Sequence, residues 1–163
     1  MAVDDYLEKV RQLIAEHGYY VQHVLSDEEG NPAYSYTRGL SFARAEKLPE
    51  LVMAGFNPQL MQQLLTDAVN RMKEGDLRPE APCFYGKIFV GMDVALAPIR
   101  ISTSASLLSL EEDSEAYFIF VPDANGLFPW EEGCDPDYSR QARGFDIADT
   151  PLRPGRKPGS GLH

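Results

Sequence analysis

Hydrophobic and polar positions at the N-terminus follow first a helical and then a strand pattern. In "DDYLEKVRQLIAEHG" the apolar residues recur at helical spacing, which predicts a first helix capped by Asp4 or Asp5 and ended by Gly18. "YYVQHVLS" predicts a strand, "DEEGNP" a turn and "AYSYTRGLS" a second strand. The chain therefore begins with a helix and a β-hairpin.

The middle of the chain carries the clearest pattern. "ELVMAGF" is a nearly continuous apolar run, which predicts a strand buried on both faces in the centre of a sheet. "NPQLMQQLLTDAVNRMKEG" predicts a helix with Asn57 as N-cap, Pro58 in its first position and Gly75 at its end. The apolar stripe that packs this helix on the sheet is predicted to comprise Leu60, Leu64, Ala68 and Met72, widened by Met61 and Leu65.

Glycine and proline interrupt the C-terminal half more often. Short strands are predicted near "KIFVG" and "VALAPIRI", a short helix in "STSASLLSLEEDSE" and a further strand in "AYFIFVPD". "FARAEKLP" reads as a loop or a short helical turn. In "ANGLFPWEEGCDPD" a turn leads into irregular chain, which we expect Phe128 and Trp130 to fasten to the body.

These elements predict an α+β fold with a single domain, in which a mixed or antiparallel sheet carries two main helices packed on it. At 163 residues the chain is long enough to bury a core without metal or disulfide support. We place the globular domain at residues 1–150. Residues 151–163, with six Pro or Gly among 13 residues, are expected to form a flexible, basic tail.

Charge narrows the classes of partner. The net charge is −10, and because five basic residues oppose two acidic ones from Ser139 onward, residues 1–138 carry −13. Such a field repels phosphate backbones, so we expect no nucleic acid; it favours a basic protein partner or serves solubility alone. No run approaches the roughly 18 apolar residues of a membrane helix, and no signal peptide is apparent. We therefore expect a cytoplasmic protein without membrane association.

Common catalytic and metal-binding motifs are absent from the sequence. It contains no GxSxG, HExxH, GxGxxG or GxxxxGK[ST]. Cys83 and Cys134 are far apart and are expected to be reduced thiols, and His17, His23 and His163 have no ligand spacing. We accordingly assign no catalytic residue, no metal site and no cofactor, and lean towards a protein that is not an enzyme.

The segments "YSYTRGLS" and "LPELVMAGF" supply the candidate binding residues. Strand alternation divides the first segment between two faces, with Tyr34, Tyr36 and Arg38 on one and Ser35 and Thr37 on the other. Gly39 permits close approach of the backbone, and Glu50 could pair with Arg38 across the gap. In the structural alternative, the tyrosines fill the core, Thr37 satisfies a backbone group and the Arg38–Glu50 pair joins the strands.

A family resemblance rests on "EHGYYVQHV", "PAYSYTRGL", "LPELVMAGF", "LLTDAVNRMKEG" and "FVPDANGLFPWEEGCDP". The chain resembles a family of small bacterial proteins known as a domain of unknown function, with Tyr-Thr-x-Gly-Leu, Pro-Glu-Leu and Phe-Pro-Trp segments. The matching positions are His17, Gly18, Tyr36, Thr37, Gly39, Leu40, Pro49, Glu50, Leu51, Gly55, Asp123, Gly126, Phe128, Pro129 and Trp130. Tyr19 stands where that family usually has Trp, and the family carries no assigned chemistry to transfer.

Two functions remain open from the sequence. The first is a non-enzymatic protein-binding or accessory module whose acidic body engages a partner, for example a toxin that it neutralises. The second is a small-molecule-binding protein or enzyme with one pocket that holds all the candidate binding residues, namely Tyr36, Thr37, Arg38, Glu50, Asp123 and Trp130. In that second case Glu50 would be the acid or base, Arg38 an anion clamp and Trp130 a stacking surface.

Overall fold

A computed structural model of the chain describes residues 3–26, 28, 32–41, 47–79, 82–89, 92–101, 108, 110, 114–142 and 145–151. Within these residues the elements are α1 (Val3–His17), β1 (Tyr20–Val24), β2 (Tyr34–Arg38), β3 (Glu50–Ala54), α2 (Pro58–Glu74), β4 (Cys83–Phe89), β5 (Met92–Pro98), β6 (Ala116–Phe120) and α3 (Pro136–Ser139).

The strands form one six-stranded sheet in the order β1-β2-β3-β6-β5-β4. Strands β1, β2 and β3 pair antiparallel in sequence, as do β4, β5 and β6. The two halves join where β3 runs parallel to β6, with Glu50 opposite Ala116. The sheet is therefore mixed, and the predicted α+β single-domain class is confirmed.

Both faces of the sheet are covered. Leu51 and Met53 of β3 face α2, while Val52 and Ala54 face the opposite side, where irregular chain carrying Phe128 covers the sheet. Every residue of β3 is buried, as its continuous apolar run predicts. Strand β3 thus lies in the centre of the molecule, with its first residue at the sheet edge where β2 ends.

In helix α2 the predicted ends and most of the predicted apolar stripe are confirmed, with Leu60 as the exception. The Asn57 side chain accepts from the Leu60 N–H, and Gly75 ends the helix in the left-handed conformation. The buried residues are Met61, Leu65, Ala68, Val69 and Met72, whereas Leu60 is 38% exposed. The prediction was wrong at Leu60 because positions four apart turn about 40° further round an α-helix at each step, so a strict four-residue repeat leaves the core face.

Helix α1 begins at Val3, before the predicted cap. Asp4 and Asp5 lie within its first turn and not at its cap. Gly18 ends the helix with φ 82° and donates to the Ile14 carbonyl at 2.7 Å. None of the α1 side chains whose burial is described is fully buried, because the helix lies mainly against β1 at the edge of the sheet.

Other elements differ from the predictions or lie outside the described residues. Strand β4 begins at Cys83, earlier than predicted. The predicted start was too late because Gly86 interrupts the apolar pattern of the strand. Helix α3 was missed, although Asp135 caps it and Pro136 opens it. The predicted helix in "STSASLLSLEEDSE", most of the "FARAEKLP" loop and "DEEGNP" turn, and residues 152–163 of the tail lie largely outside the described residues. No helix among those described is long and apolar enough to cross a membrane.

Candidate functional site

The buried carboxylate of Glu50 organises the edge of the sheet where β3 begins. Glu50 has no exposed surface. Its Oε1 accepts from the Thr37 hydroxyl at 2.9 Å and the Leu40 N–H at 3.3 Å. Its Oε2 accepts from the N–H groups of Gly39 at 3.2 Å and Ser41 at 3.1 Å and from the Ser41 hydroxyl at 2.7 Å. Five donors therefore surround one carboxylate.

The sequence forms this arrangement because the turn after β2 is tightly constrained. Gly39 adopts φ 120°, and a Cβ there would lie 2.9 Å from both the Gly18 carbonyl oxygen and the Tyr19 Cα. Only glycine fits against this backbone, and the resulting turn aims three successive N–H groups at Glu50. Thr37 also accepts from the Leu51 N–H at 2.9 Å, which ties β2 to β3. The expected backbone role of Thr37 is confirmed.

Protonation of Glu50 reflects two opposing effects. Burial raises the pKa of Glu50 above its ordinary value, while the hydrogen bonds from Ser41, Thr37 and Gly39 oppose that rise. Ionising a carboxyl group that has no contact with solvent costs free energy, and the hydrogen-bond donors offset only part of that cost. The site therefore holds a carboxyl group whose charge is sensitive to its surroundings.

An open cavity adjoins this carboxylate. It measures about 290 Å³ and is called the Ser41 pocket; its lining residues are Ser41, Lys47, Leu48, Pro49, Ser114 and Glu115. The Ser41 and Ser114 hydroxyl oxygens lie 3.3 Å apart. Because Ser41 already donates its proton to Glu50, Ser114 is the donor of this second bond. A hydrogen-bond chain thus runs from the buried carboxylate to the pocket wall.

Arg38 does not take the expected partner. Its Nη1 donates to the Tyr20 hydroxyl at 2.8 Å, and the guanidinium lies 5.7 Å from the Tyr20 ring centroid. No ion pair with Glu50 is formed among the described residues. The predicted Arg38–Glu50 pair was wrong because the turn donors satisfy the carboxylate on the β3 side, while the guanidinium extends towards β1.

Tyr36 and Trp130 belong to the core on the sheet face opposite α2. They are 2% and 4% exposed, respectively. Trp130 stacks on Phe128 with ring centroids 5.3 Å apart and meets Phe120 edge-on at 5.0 Å. These contacts fasten the irregular chain to the body, as expected, and leave the Trp130 ring enclosed by other aromatic rings.

Asp123 lies at the other end of the parallel strand pair. It follows the end of β6, whereas Ala116 at the start of β6 lies opposite Glu50. Its Oδ1 accepts from the N–H groups of Asn125 and Leu127 at 2.9 Å each, and its Oδ2 accepts from Asp135 at 2.8 Å. Asp123 is therefore a turn-forming residue remote from Glu50.

The ionisation of Asp123 contrasts with that of Glu50. Burial acts to raise the pKa of Asp123, but hydrogen bonds from Leu127, Asp135, Asn125 and Cys134 together lower it below the ordinary value. The neighbouring Cys134 thiol has a pKa raised to about 11 by burial and by the nearby carboxylates. Burial also raises the pKa of Cys83. Both thiols are therefore protonated near neutral pH and unsuited to nucleophilic attack.

The six candidate residues do not line one pocket. Thr37 and Glu50 meet directly, while Tyr36 and Trp130 lie in the aromatic core and Asp123 lies at the far end of β6. Sequence reasoning missed the pocket residues Ser41, Lys47, Ser114 and Glu115. Ser41 could have been recognised from the sequence, because it lies two residues after Gly39 in the same turn. Ser114 and Glu115 are brought to the site by the parallel pairing of β3 with β6, which no local pattern reveals.

Metal ligation finds no support in the described part of the chain, where no group of three or more His, Cys, Asp or Glu side chains is placed to hold an ion.

No curated protein and no solved structure gives a significant match to the chain. A family model described as Domain of unknown function (DUF4262) matches residues 13–135, which include β1, β2, β3, α2, β4, β5, β6 and the Ser41 pocket. The chain belongs to this family of domains of unknown function.

Proposed function

We propose that this protein is a non-enzymatic binding module that holds a small polar ligand in the Ser41 pocket. The observation that carries the proposal is the hydrogen-bond chain from buried Glu50 through Ser41 to Ser114 at the wall of an open cavity. A shifted carboxyl group beside a concave polar surface is typical of a binding or active site.

Saturation of the Glu50 carboxylate argues for binding and against catalysis. All five of its contacts are donors from the protein itself, so a substrate proton would have to displace one of them. The arrangement instead keeps the two pocket hydroxyls in fixed positions.

The pocket lining suggests the ligand chemistry. Ser41 and Ser114 offer hydroxyl groups, Lys47 a cation and Glu115 a carboxylate, beside the apolar surface of Leu48 and Pro49. A small compound with both an anionic group and hydrogen-bond donors complements this set. The pocket volume of about 290 Å³ lies just below the usual range for small-molecule sites, which is about 300–1,000 Å³.

Ligand-observed NMR with a library of small zwitterionic and anionic compounds tests the proposal. Ser114→Ala should weaken any hit about ten-fold, since it removes a pocket hydroxyl without touching Glu50. Ser139→Ala, whose hydroxyl in α3 donates to the Pro136 carbonyl, is the matched control and should bind like the natural protein. No hit, or hits that bind Ser114→Ala equally well, would reject the pocket as the site.

A protein partner is the second candidate, favoured by the net charge of −10 and the −13 carried by residues 1–138. An acidic body in the bacterial cytoplasm would steer a basic partner, such as a toxin that it neutralises. Affinity capture from the native cytosol, with and without residues 151–163, tests this candidate. Binding that weakens as salt is raised supports it, whereas recovery of no partner under either condition counts against it.

A further inference from the structure

The direction of the hydrogen bonds between Glu50 and the Ser41 pocket depends on the charge of Glu50. With Glu50 ionised, the Ser41 hydroxyl donates to its Oε2 at 2.7 Å, and the Ser114 hydroxyl, 3.3 Å from that of Ser41, donates to Ser41 in turn. Ser114 then directs its only hydroxyl proton inwards and leaves its oxygen lone pairs for a ligand in the pocket. The charged form of Glu50 therefore makes Ser114 an acceptor towards the pocket.

Neutral Glu50 reverses this order, because its own proton then needs an acceptor. Backbone N–H groups cannot accept, so the acceptor is one of the two hydroxyl oxygens at the carboxyl group, those of Thr37 and Ser41. Thr37 is fully buried, and its oxygen already accepts from the Leu51 N–H at 2.9 Å. Ser41 can instead accept from Glu50 and donate its own proton to Ser114. Ser114 then directs its proton into the pocket and becomes a donor there.

The same two hydroxyl groups give the proton a route to the buried carboxylate. A proton that arrives from the pocket bonds to the Ser114 oxygen, Ser114 passes its former proton to Ser41, and Ser41 passes its own to Glu50. One proton enters and the carboxylate becomes a neutral acid. Both serines stay neutral, and the direction of each O–H bond is reversed. Glu50 can therefore change its charge without opening the turn that encloses it.

The groups that influence Glu50 are mainly hydrogen-bond partners. The described titratable and charged side chains around this end of the sheet are Tyr36 and Arg38 on β2, His17 at the end of α1, and Lys47 and Glu115 at the pocket. Arg38 donates to Tyr20, and Lys47 and Glu115 are exposed, where water weakens their fields. Burial raises the pKa of Glu50 and the hydrogen bonds oppose that rise, so the neutral acid is favoured by enclosure.

We infer that the proton on Glu50 selects the ligands of the Ser41 pocket, which takes a hydrogen-bond donor at Ser114 while Glu50 is charged and an acceptor while Glu50 is neutral. The inference rests on the proposed function, since it needs a ligand in this pocket. By linkage, a ligand that accepts from Ser114 takes up a proton at Glu50, and a ligand that donates to Ser114 releases one. Glu50 is thus a positioning residue that acts through Ser41 and Ser114.

The ligand-free protein tests the hydrogen-bond chain by carbon-13 NMR. All measurements use the Glu115→Gln variant of the full chain, because this substitution removes the titratable carboxyl group next to Ser114. The Ser114 Cβ shift should change with pH at the same midpoint as the Glu50 carboxyl carbon. In Ser41→Ala, which interrupts the chain, the Ser114 change should shrink at least about two-fold. The Cβ of Ser139, whose hydroxyl donates to the Pro136 carbonyl, is the internal control and should not follow Glu50.

Dimethyl sulfone tests the choice of ligand, because it is small and uncharged and has acceptor oxygens but no donor. Its affinity, followed by the Ser114 amide shift, should be about ten-fold higher below the Glu50 midpoint than above it. Since the probe carries no charge, its pH dependence reports the direction of the hydroxyl groups and not a simple attraction to the charge of Glu50.

The outcomes separate the inference from the proposed function. A Ser114 carbon that ignores the Glu50 midpoint, or follows it equally in Ser41→Ala, would overturn the inference even if ligands bind in the pocket. Equal affinities for dimethyl sulfone on the two sides of the midpoint would also overturn it and leave the proposed function intact. Failure of dimethyl sulfone and of every library compound to bind would reject the proposed function, and the inference about ligand choice with it.

Discussion

Glu50 and Asp123 lie at the two ends of the parallel strand pair β3 and β6. Both are buried carboxyl groups at a turn, but their pKa values are shifted in opposite directions. Each carboxylate collects the N–H groups of a turn. At Glu50 burial prevails and the pKa rises, whereas at Asp123 the hydrogen bonds prevail and the pKa falls. Asp123 therefore stays charged at neutral pH and holds its turn, whereas the charge of Glu50 is disfavoured by burial.

The difference follows from what surrounds each group. Asp123 lies in a turn whose neighbours Ala124 and Asn125 are exposed, so burial raises the pKa of its carboxyl group by less than the hydrogen bonds lower it. Glu50 is fully enclosed, and its route to solvent passes through Ser41 and Ser114 to the Ser41 pocket. The Glu50 end joins a buried titratable group to an open cavity, which is why we place the candidate site there.

Removal of the Glu50 carboxylate should have the largest effect on stability. Glu50→Ala leaves buried N–H and hydroxyl donors without an acceptor, so the free energy of unfolding should fall by about 3–5 kcal/mol. Urea denaturation measures this loss. The control Glu132→Gln alters an exposed carboxylate and should change stability by less than about 0.5 kcal/mol. Equal effects of the two substitutions would show that Glu50 does not hold the turn together.

A side chain at Gly39 should have the next largest effect. Gly39→Ala combines a left-handed backbone with a Cβ that would lie 2.9 Å from neighbouring backbone atoms, so unfolding free energy should fall by about 2–4 kcal/mol. Gly126→Ala is the matched control, because φ there is 78° but no atom lies within 4 Å of the added Cβ. It should cost about 1 kcal/mol from backbone strain alone. A Gly39→Ala loss no larger than the control would contradict the close approach to Gly18.

Asp123→Asn should have a smaller effect than either change above. The amide oxygen still accepts from one side of the turn, but the N–H groups of Asn125, Leu127 and Asp135 lose a charged acceptor. Unfolding free energy at neutral pH should fall by about 1–2 kcal/mol. Thermal or urea denaturation measures the change, and an unchanged stability would mean that the turn does not depend on this charge.

The pH dependence of these losses should differ in sign. Because folding lowers the pKa of Asp123, its contribution is present above the ordinary value of 3.8 and disappears as pH falls through the folded value. The loss in Asp123→Asn should therefore shrink on acidification. Because folding raises the pKa of Glu50, its contribution is greatest below 4.5 and declines as pH rises towards the folded value. The loss in Glu50→Gln should thus be greater in acid, and parallel pH profiles for the two variants would contradict the contrast.

Local signals explain what could be predicted from the sequence. Asn57, Pro58 and Gly75 define the ends of α2 because caps depend on neighbouring residues alone, and the apolar run of β3 marks a central strand. The proximity of Thr37 and Glu50 was also expected, since adjacent strands joined by a short connection lie side by side, but the hydrogen bond between them was not predicted. Fold class and one half of the site were therefore accessible without coordinates.

Longer-range geometry explains what could not be predicted. The parallel pairing of β3 with β6 sends Asp123 to the end of the sheet away from Glu50 and brings Ser114 and Glu115 to the Ser41 pocket. No local pattern encodes this crossover. Arg38 was misassigned because strand alternation gives the face of a side chain but not the direction along the sheet in which a long guanidinium extends.

Carbon-13 NMR titration of the side-chain carboxyl carbons of Glu50 and Asp123, followed in one sample of the natural protein, tests the central contrast most directly. Glu50 should titrate above 4.5 and Asp123 below 3.8. A Glu50 carboxyl that titrates at or below 4.5, or an Asp123 carboxyl at or above 3.8, would contradict the account.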